Sequence, residues 1–379
     1  MTAPARARVL ILAPSAPAQG LGGAERHLQD LAILLAPLCD RVFFRSRADA
    51  PPPRWGARIL AQIEPMLTSP LATRRLVRNG LPDADVVLSI ELMGIGLRHP
   101  RHLHLFFGSY AGFRDMALPP TSGLHSVLRG AKSRVARMLE RRTQGKLGAI
   151  ANSIGLRDIF RTRGIAVRDE VVLPPTDCNR FTPGDKLTAR TKLRLPLDKR
   201  LILFAGRWEY AKGADRCTRI FEAMPQDWHL LIVTPSGYTW PVPPGPNVTM
   251  LADLDTDRMI AAYRAADTLV QPSRFEGYSL AASEAQACGC PVLTSQVGQA
   301  FHFMLSEQPL VRESVIPDAN NFHSWLSELV KILSSDQAQQ SYSQAHRSYA
   351  ENNVSYPAVQ RAWERILSET YKDFSWHPH

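Results

Sequence analysis

The chain has 379 residues, 45% hydrophobic and 21% charged, the profile of a globular protein with room for two domains of ordinary size. It holds no run of 18 apolar residues, which argues against a membrane-spanning helix. Its five cysteines, Cys39, Cys178, Cys217, Cys288 and Cys290, are odd in number and lack metal-ligand or redox spacing, so a reduced, cytoplasmic protein is expected.

The net charge of +10 is uneven. Residues 1–180 carry 26 Lys+Arg against 14 Asp+Glu, a net +12, and the other 199 residues hold 19 of the 45 basic and 21 of the 35 acidic residues, a net −2. A basic first half predicts an anionic partner: nucleic acid, an anionic membrane surface or an acidic substrate. A merely well-solvated basic surface stays open. No basic patch interleaves with aromatics and no nucleic-acid motif occurs, so nucleic acid is not expected.

In chain order, MTAPARARVLILAPSAP places two arginines before a short apolar stretch, as a signal peptide would. A glycine turn and a helical pattern follow at once, so Arg8 to Pro14 reads as a buried first strand. QGLGGAERHLQDLAILLAPL then becomes periodic, with Leu28, Leu31, Leu35 and Leu38 on one stripe. RVFFRS, DVVLSI, HLHLFFG and GAIANS read as strands. Between the last two, HSVLRGAKSRVARMLERRTQGK is a long arginine-rich helix. Residues 171–186, with three prolines, read as a crossing segment. A second series follows: strands LILFAG, HLLIV, TLVQ and PVLTS, with helices GADRCTRIFEAM and DTDRMIAAYRAAD, and a mostly helical chain from Phe322. Strand–helix alternation predicts parallel sheets covered on both faces. The fold class is therefore α/β, with two Rossmann-like doubly wound domains facing each other across a cleft: residues 1–183, rejoined by a helix at about 355–379, and residues 184–354.

Three loops carry candidate chemistry. Gly20-Leu21-Gly22-Gly23-Ala24-Glu25 follows strand one at a helix start, where backbone and helix dipole favour an anion. It lacks the last glycine of G-x-G-x-x-G, so an NAD site is poorly supported. In Gly206-Arg207-Trp208-Glu209-Tyr210-Ala211-Lys212-Gly213, Arg207 offers a planar fork and Lys212 a mobile charge, a pair suited to a diphosphate. In RFEGYSLAASEAQACG, a helix starting near Ser279 leaves the N–H groups of residues 277–281 as donors for sugar or phosphate oxygens. It also puts Glu284 in the second turn. Glu284 shares a stripe with Leu280, Ala287 and Cys288 that would aim it at the sheet, where it needs donors. Spacing leaves an ordinary solvated position equally open. Each loop by itself also fits a plain solvated turn. Asp253-Leu254-Asp255 spells D-x-D, a metal–diphosphate pattern elsewhere, but Asp255 reads as the cap of the next helix.

FEGYSLAASEAQACGCPVLTS resembles the E-x7-E signature of the retaining glycosyltransferases of the GT-B fold, family GT4. The resemblance extends, in family order, through GLGGAERH, ERRTQGKLGAIANS, LPPTDCNRF and GRWEYAKG, about residues 8–298. The late YPAVQRAWERILSETY helix also fits, since the family's last helix returns to the first domain. The resemblance implies that Arg207 and Lys212 bind the donor's diphosphate. It places Glu276 near the donor sugar's hydroxyls, Gly277, Tyr278, Ser279 and Leu280 on sugar and phosphate, and Glu284 on the ribose. Gly22 and Gly23 match the loop bordering the sugar. Arg207, Lys212 and Glu276 are thus the catalytic candidates. No obligatory cofactor and no metal are implied; the donor is a nucleotide sugar, UDP-sugar favoured by family frequency.

The acceptor falls to the first domain, where His104, Ser109, Tyr110 and Arg114 are the candidates. The family's usual histidine after HLHLFFGSY is missing: Phe107-Gly108-Ser109 stands there, and His104, three residues earlier, reads as a strand residue. Ser279 replaces a common glycine, and TPSGY a glycine-rich loop. The excess charge of this domain, with Arg129, Lys132, Arg134, Arg137, Arg141 and Arg142 on one helix, predicts a lipid-linked or lipopolysaccharide-type glycan acceptor and peripheral contact with an anionic membrane from the cytoplasmic side. A small soluble acceptor, or a non-catalytic scaffold of the same fold, are the alternatives.

Overall fold

The structure, a computed structural model, describes residues 5–16, 23–52 and 65–378. The chain divides into two compact units. The first comprises Met1–Asp115, Pro120–Pro175 and Pro357–His379; the second comprises Met116–Pro119 and Thr176–Tyr356.

In the first unit, strand β1 (Arg8–Ala13) leads to helix α1 (Gly23–Leu35), β2 (Arg41–Ser46), α2 (Thr68–Asn79), β3 (Val86–Ile90) and β4 (His102–Phe106). Helices α3 (Tyr110–Met116) and α4 (Gly123–Arg141), strand β5 (Ala149–Ala151) and α5 (Ile154–Thr162) follow. The five strands pair in parallel in the order β2-β1-β3-β4-β5. Apolar runs make this possible: Val86, Val87, Leu88 and Ile90 of β3 are all buried, as a strand covered on both faces requires. Leu28, Leu31, Leu35 and Leu38 are buried together, as their spacing predicts, although Leu38 lies in a 3-10 turn beyond the helix. The helix Tyr356–Thr370 buries Val359, Trp363, Ile366 and Leu367.

The second unit begins with α6 (Lys186–Leu193) and continues through β6 (Arg200–Ala205), α7 (Ala214–Glu222), β7 (Trp228–Thr234) and β8 (Val248–Ala252). Then come α8 (Thr256–Ala265), β9 (Thr268–Gln271), α9 (Leu280–Ala287), β10 (Val292–Ser295) and β11 (Val315–Ile316). The strand order is β11-β10-β9-β6-β7-β8. Two of these strands escape the sequence reading. The half-exposed β8 sits behind a Pro/Gly-rich run, and the two-residue β11 is too short to show a pattern. Trp228, Trp325, Ile202, Val270 and Leu293 pack into one core beneath this sheet.

Both sheets reverse their direction of growth once, between β1 and β3 in the first unit and between β6 and β9 in the second. In open parallel sheets such reversals open a crevice at the carboxyl ends of the two strands, where ligands bind.

Candidate active site

In the second unit the loops leaving β6 and β9 meet at that reversal. The β6 loop places Arg207 with its side chain 56% exposed, 3.1 Å from Glu209. Trp208 anchors the loop: it is fully buried, its N–H bonds Thr234 Oγ1 at 3.0 Å and its indole N–H bonds the Pro241 carbonyl at 3.1 Å. Lys212 closes a 3-10 turn that Gly213 ends in a left-handed conformation, φ 76°. A Cβ at Gly213 would stand 2.1 Å from the Pro272 carbonyl oxygen, so glycine alone lets the β6 loop lie against the β9 loop.

That approach brings Lys212 to Glu276 across 64 residues of sequence. Lys212 Nζ lies 2.8 Å from both Glu276 oxygens. Ser273 Oγ at 2.7 Å and Gln271 Nε2 at 3.1 Å also donate to Glu276 Oε1. Glu276 is 6% exposed, so these donors replace the water a buried carboxylate would lose. Arg274 braces the same loop through two 2.6 Å bonds to Asp215 and a stack 3.4 Å above the Tyr210 ring.

Ser279 caps α9 and Gly289, φ 74°, ends it. The expectation of open helix-start donors needs correction. The Ser279 N–H donates to Gln299 Oε1 at 2.6 Å, so one of the donors at residues 277–281 is satisfied inside the protein, and the Ala282 N–H just beyond them donates to Ser279 Oγ. Gln299 is nonetheless buried with its Nε2 unpartnered, and Gln271 Oε1 is likewise unpartnered. These bonds fix which atom of each amide is left without a partner. Gly277 is buried, close against Gly298. Tyr278 is half-buried, and burial pushes its hydroxyl above the usual tyrosine range. Leu280 begins the helix. Glu284 is buried, not solvated, and Tyr263 donates to its Oε2 at 2.8 Å. Gly22 lies outside the described residues, and Gly23 opens α1.

Both carboxylates of D-x-D are engaged within the protein. Asp255 caps α8, accepting from the Arg258 N–H at 2.8 Å, and Asp253 accepts from the Ser236 N–H at 2.9 Å. Among the described residues no group of three or more His, Cys, Asp and Glu is placed to hold a metal ion. All five cysteines are free.

In the first unit, two acceptor-side candidates prove to be internal. His104 is fully buried in β4, its Nδ1 2.7 Å from Ser89 Oγ, which also meets His102 Nε2 at 2.7 Å. Burial holds its pKa well below the ordinary histidine value. A central strand covered on both faces gives such a residue no route to an acceptor. Ser109 is buried too, donating to Glu140 Oε1 at 3.0 Å and accepting from the Gly112 N–H at 2.8 Å. Tyr110 and Arg114 are half-buried. Burial, then the nearby Glu91, pushes the Tyr110 hydroxyl upward.

Glu91 is the residue the sequence reading missed. It follows β3 at the sheet's reversal and adopts a left-handed conformation, φ 53°, unusual for a non-glycine residue. Its carboxyl accepts from the Phe107 and Gly108 N–H groups, yet burial and then the charge of Glu140 raise its pKa to about 8. Glu140 Oε2 is buried with no partner. The only signal in sequence is position: a carboxylate on the residue after a central strand.

Residues 185–349 match the family described as Glycosyl transferases group 1. A D-inositol 3-phosphate glycosyltransferase of Mycolicibacterium vanbaalenii is 32% identical over 194 residues, 45% of this chain and 42% of the relative. The corresponding protein of Xylanimonas cellulosilytica is 33% identical over 197 residues, 47% of this chain and 46% of the relative. The match thus spans less than half of these relatives. Among solved structures, sucrose-phosphate synthase from Thermosynechococcus elongatus superposes with a TM-score of 0.73 at 18% identity, covering 97% of this chain and all of that one. WaaG, a glycosyltransferase involved in lipopolysaccharide biosynthesis, gives 0.66 at 18% identity, covering 94% and 99%. Anabaena HepE in complex with UDP-glucose gives 0.64 at 15% identity, covering 96% and 100%. At these identities the likeness establishes the GT-B fold alone.

Proposed function

We propose that this chain, a member of the glycosyl transferases group 1 family through residues 185–349, is a retaining glycosyltransferase of family GT4. It moves a hexose-type sugar from a nucleotide diphosphate sugar, UDP-sugar favoured, to a saccharide acceptor. The observation that carries this reading is Lys212 held 2.8 Å from both oxygens of Glu276 at the reversal of a parallel sheet. A mobile cation parked on a carboxylate in a ligand crevice is available to an incoming anion.

In this reading Lys212 and Arg207 meet the donor's diphosphate. They neutralise the charge that develops on it as the sugar–phosphate bond breaks. Glu276 meets the sugar's hydroxyls, and the backbone of Gly277, Tyr278 and Leu280 with the Gln299 Nε2, which has no partner inside the protein, takes sugar and phosphate oxygens, the Ser279 N–H being held by Gln299 Oε1. Glu284, oriented by Tyr263, takes the ribose hydroxyls. Two cations supply the positive charge, so no metal is obligatory, and turnover is expected to survive EDTA.

Support for a UDP-sugar donor comes from the Anabaena protein solved with UDP-glucose. Support for a glycolipid or lipopolysaccharide-type acceptor comes from WaaG and from the +12 charge of residues 1–180, which also favours peripheral attachment to the cytoplasmic face of an anionic membrane. A small phosphorylated acceptor is the second reading, favoured by the D-inositol 3-phosphate relatives. Thermal shift with UDP, UDP-glucose, GDP-mannose and NAD tests the donor. A ligand at 100 times its Kd adds about 2.7 kcal/mol of stability. A shift with NAD and none with any nucleotide sugar would sink the reading.

A further inference from the structure

Helix α4 is built inside out. A surface helix turns its apolar stripe to the core and its charges to water. Here the core face carries Ser133, Ala136, Leu139 and Glu140, all buried, of which only Ala136 and Leu139 are apolar. At about 100° per residue, Leu124, Val127, Leu128, Ala131, Val135 and Met138 fall within an arc of about 100° on the opposite side. They are exposed, Leu124 at 71% and Val127 at 68%. Four of the helix's five cations flank this arc, Lys132 on one side and Arg134, Arg137 and Arg141 on the other, while Arg129 falls on the core side and is half-buried. The helix's one acidic residue, Glu140, is turned inward, donated to by Ser109 and the Ala111 N–H.

Beside the stripe, Arg134, Arg137, Met138, Arg141, Arg142 and Arg163 line a groove of about 500 Å³. Arg163 is tied to Asp115 at 3.0 Å. Among the described residues, no ion pair ties down the guanidinium groups of Arg134, Arg137, Arg141 or Arg142. Planar guanidinium forks converging on one concavity suit phosphate oxygens.

An exposed apolar stripe of this size calls for a cover. A second copy of this chain would bring the same arginines against these, and like charges oppose that pairing. An anionic bilayer satisfies both features at once, since an interfacial helix sinks its apolar face among acyl chains while cations at its flanks meet headgroups. We infer that α4 lies in the surface of an anionic bilayer, with the Leu124–Met138 stripe among the acyl chains and lipid phosphates in the groove of Arg134, Arg137, Arg141 and Arg142. This deepens the membrane attachment proposed above by naming the face and the lipid group it grips. It leaves the donor chemistry aside.

The test is sedimentation with phosphatidylcholine vesicles and with vesicles holding 30 mol% phosphatidylglycerol, at low and at 0.5 M salt. The wild-type chain binds the anionic vesicles at least tenfold more tightly. Each arginine changed to alanine in the groove costs about fivefold, so R134A/R137A/R141A loses about a hundredfold. Leu124→Ser with Leu128→Ser lowers the binding that survives 0.5 M salt. These positions are exposed, and unchanged circular dichroism and UDP-induced thermal shifts confirm that the variants fold. Equal binding to both vesicle types overturns the inference. So does tight binding of inorganic pyrophosphate without vesicle binding, which makes the groove a soluble-phosphate site. A dimer dispersed by Leu124→Asp overturns it as well. A chain that ignores vesicles but binds nucleotide sugars sinks only this inference. One that binds vesicles but no nucleotide sugar sinks only the proposed function.

Discussion

Lys212→Ala separates what the Lys212–Glu276 pair does for the fold from what it does for chemistry. The substitution removes a cation 2.8 Å from both oxygens of a buried carboxylate and leaves Ser273 Oγ and Gln271 Nε2 as the remaining side-chain donors. Hydrogen bonds to a charged group contribute about 1.5–3 kcal/mol. The Lys212 side chain is 26% exposed, so solvent screens part of that. A stability loss of about 1–2 kcal/mol follows, or a Tm lower by about 3–6 °C for a unit of this size. The chemical effect is larger. Losing one preorganised donor to a developing negative charge lowers turnover about 10²–10³-fold. Adding Glu276→Gln neutralises the stranded carboxylate, so the double variant regains Tm but not turnover. Scanning fluorimetry and UDP release from UDP-glucose read the two quantities on the same samples. Turnover within threefold of wild type, or turnover that returns together with Tm, would refute the assignment of Lys212 to the diphosphate.

Gly213→Ala forces a left-handed residue against the Pro272 carbonyl and is expected to cost about 2–4 kcal/mol in urea unfolding, with UDP binding weakened as Lys212 shifts. Tyr263→Phe deletes the 2.8 Å donation to Glu284 and should weaken UDP binding about 3–10-fold by calorimetry, with diphosphate-only ligands unaffected. Glu91 has a folded pKa raised from 4.5 to about 8, so the stability it contributes is fully present below about 4.5 and is lost as pH rises through about 8. Urea midpoints between pH 5 and 9 should therefore fall more steeply for wild type than for Glu91→Gln, and identical slopes would contradict the burial argument.

The fold was readable wherever burial writes a pattern. DVVLSI and LILFAG are apolar because their strands are covered on both faces, and the leucine spacing of α1 survives in its buried stripe. The donor loops were readable as residue types in family order. Their pairing was not: Lys212 meets Glu276 only because the sheet reverses between β6 and β9, and strand order leaves no local trace. Helix-start donors looked open in sequence because nothing nearby predicts that Gln299, 20 residues on, folds back onto Ser279. His104 was a candidate on the acceptor side although it also read as a strand residue; it is fully buried in β4, where Ser89 meets its Nδ1 and its Nε2 has no partner. The outward leucines of α4 were hidden by the arginines among them, since a count of cations says nothing about which way the leucines face.

The return of Pro357–His379 to the first unit has a consequence for how the chain is made. The second unit is an insertion whose two ends both belong to the first. It can finish folding while it is still being synthesised, because all its strands lie within Thr176–Tyr356. The first unit cannot. Its closing contacts join residues far apart in sequence, as between Arg6 and the His377 carbonyl, 371 positions apart. Loop-closure entropy grows only slowly with length, so the delay costs time more than stability. Until the helix Tyr356–Thr370 emerges from the ribosome, the surface that its buried Trp363 and Ile366 pack against stays uncovered, and this interval is where a chaperone would act.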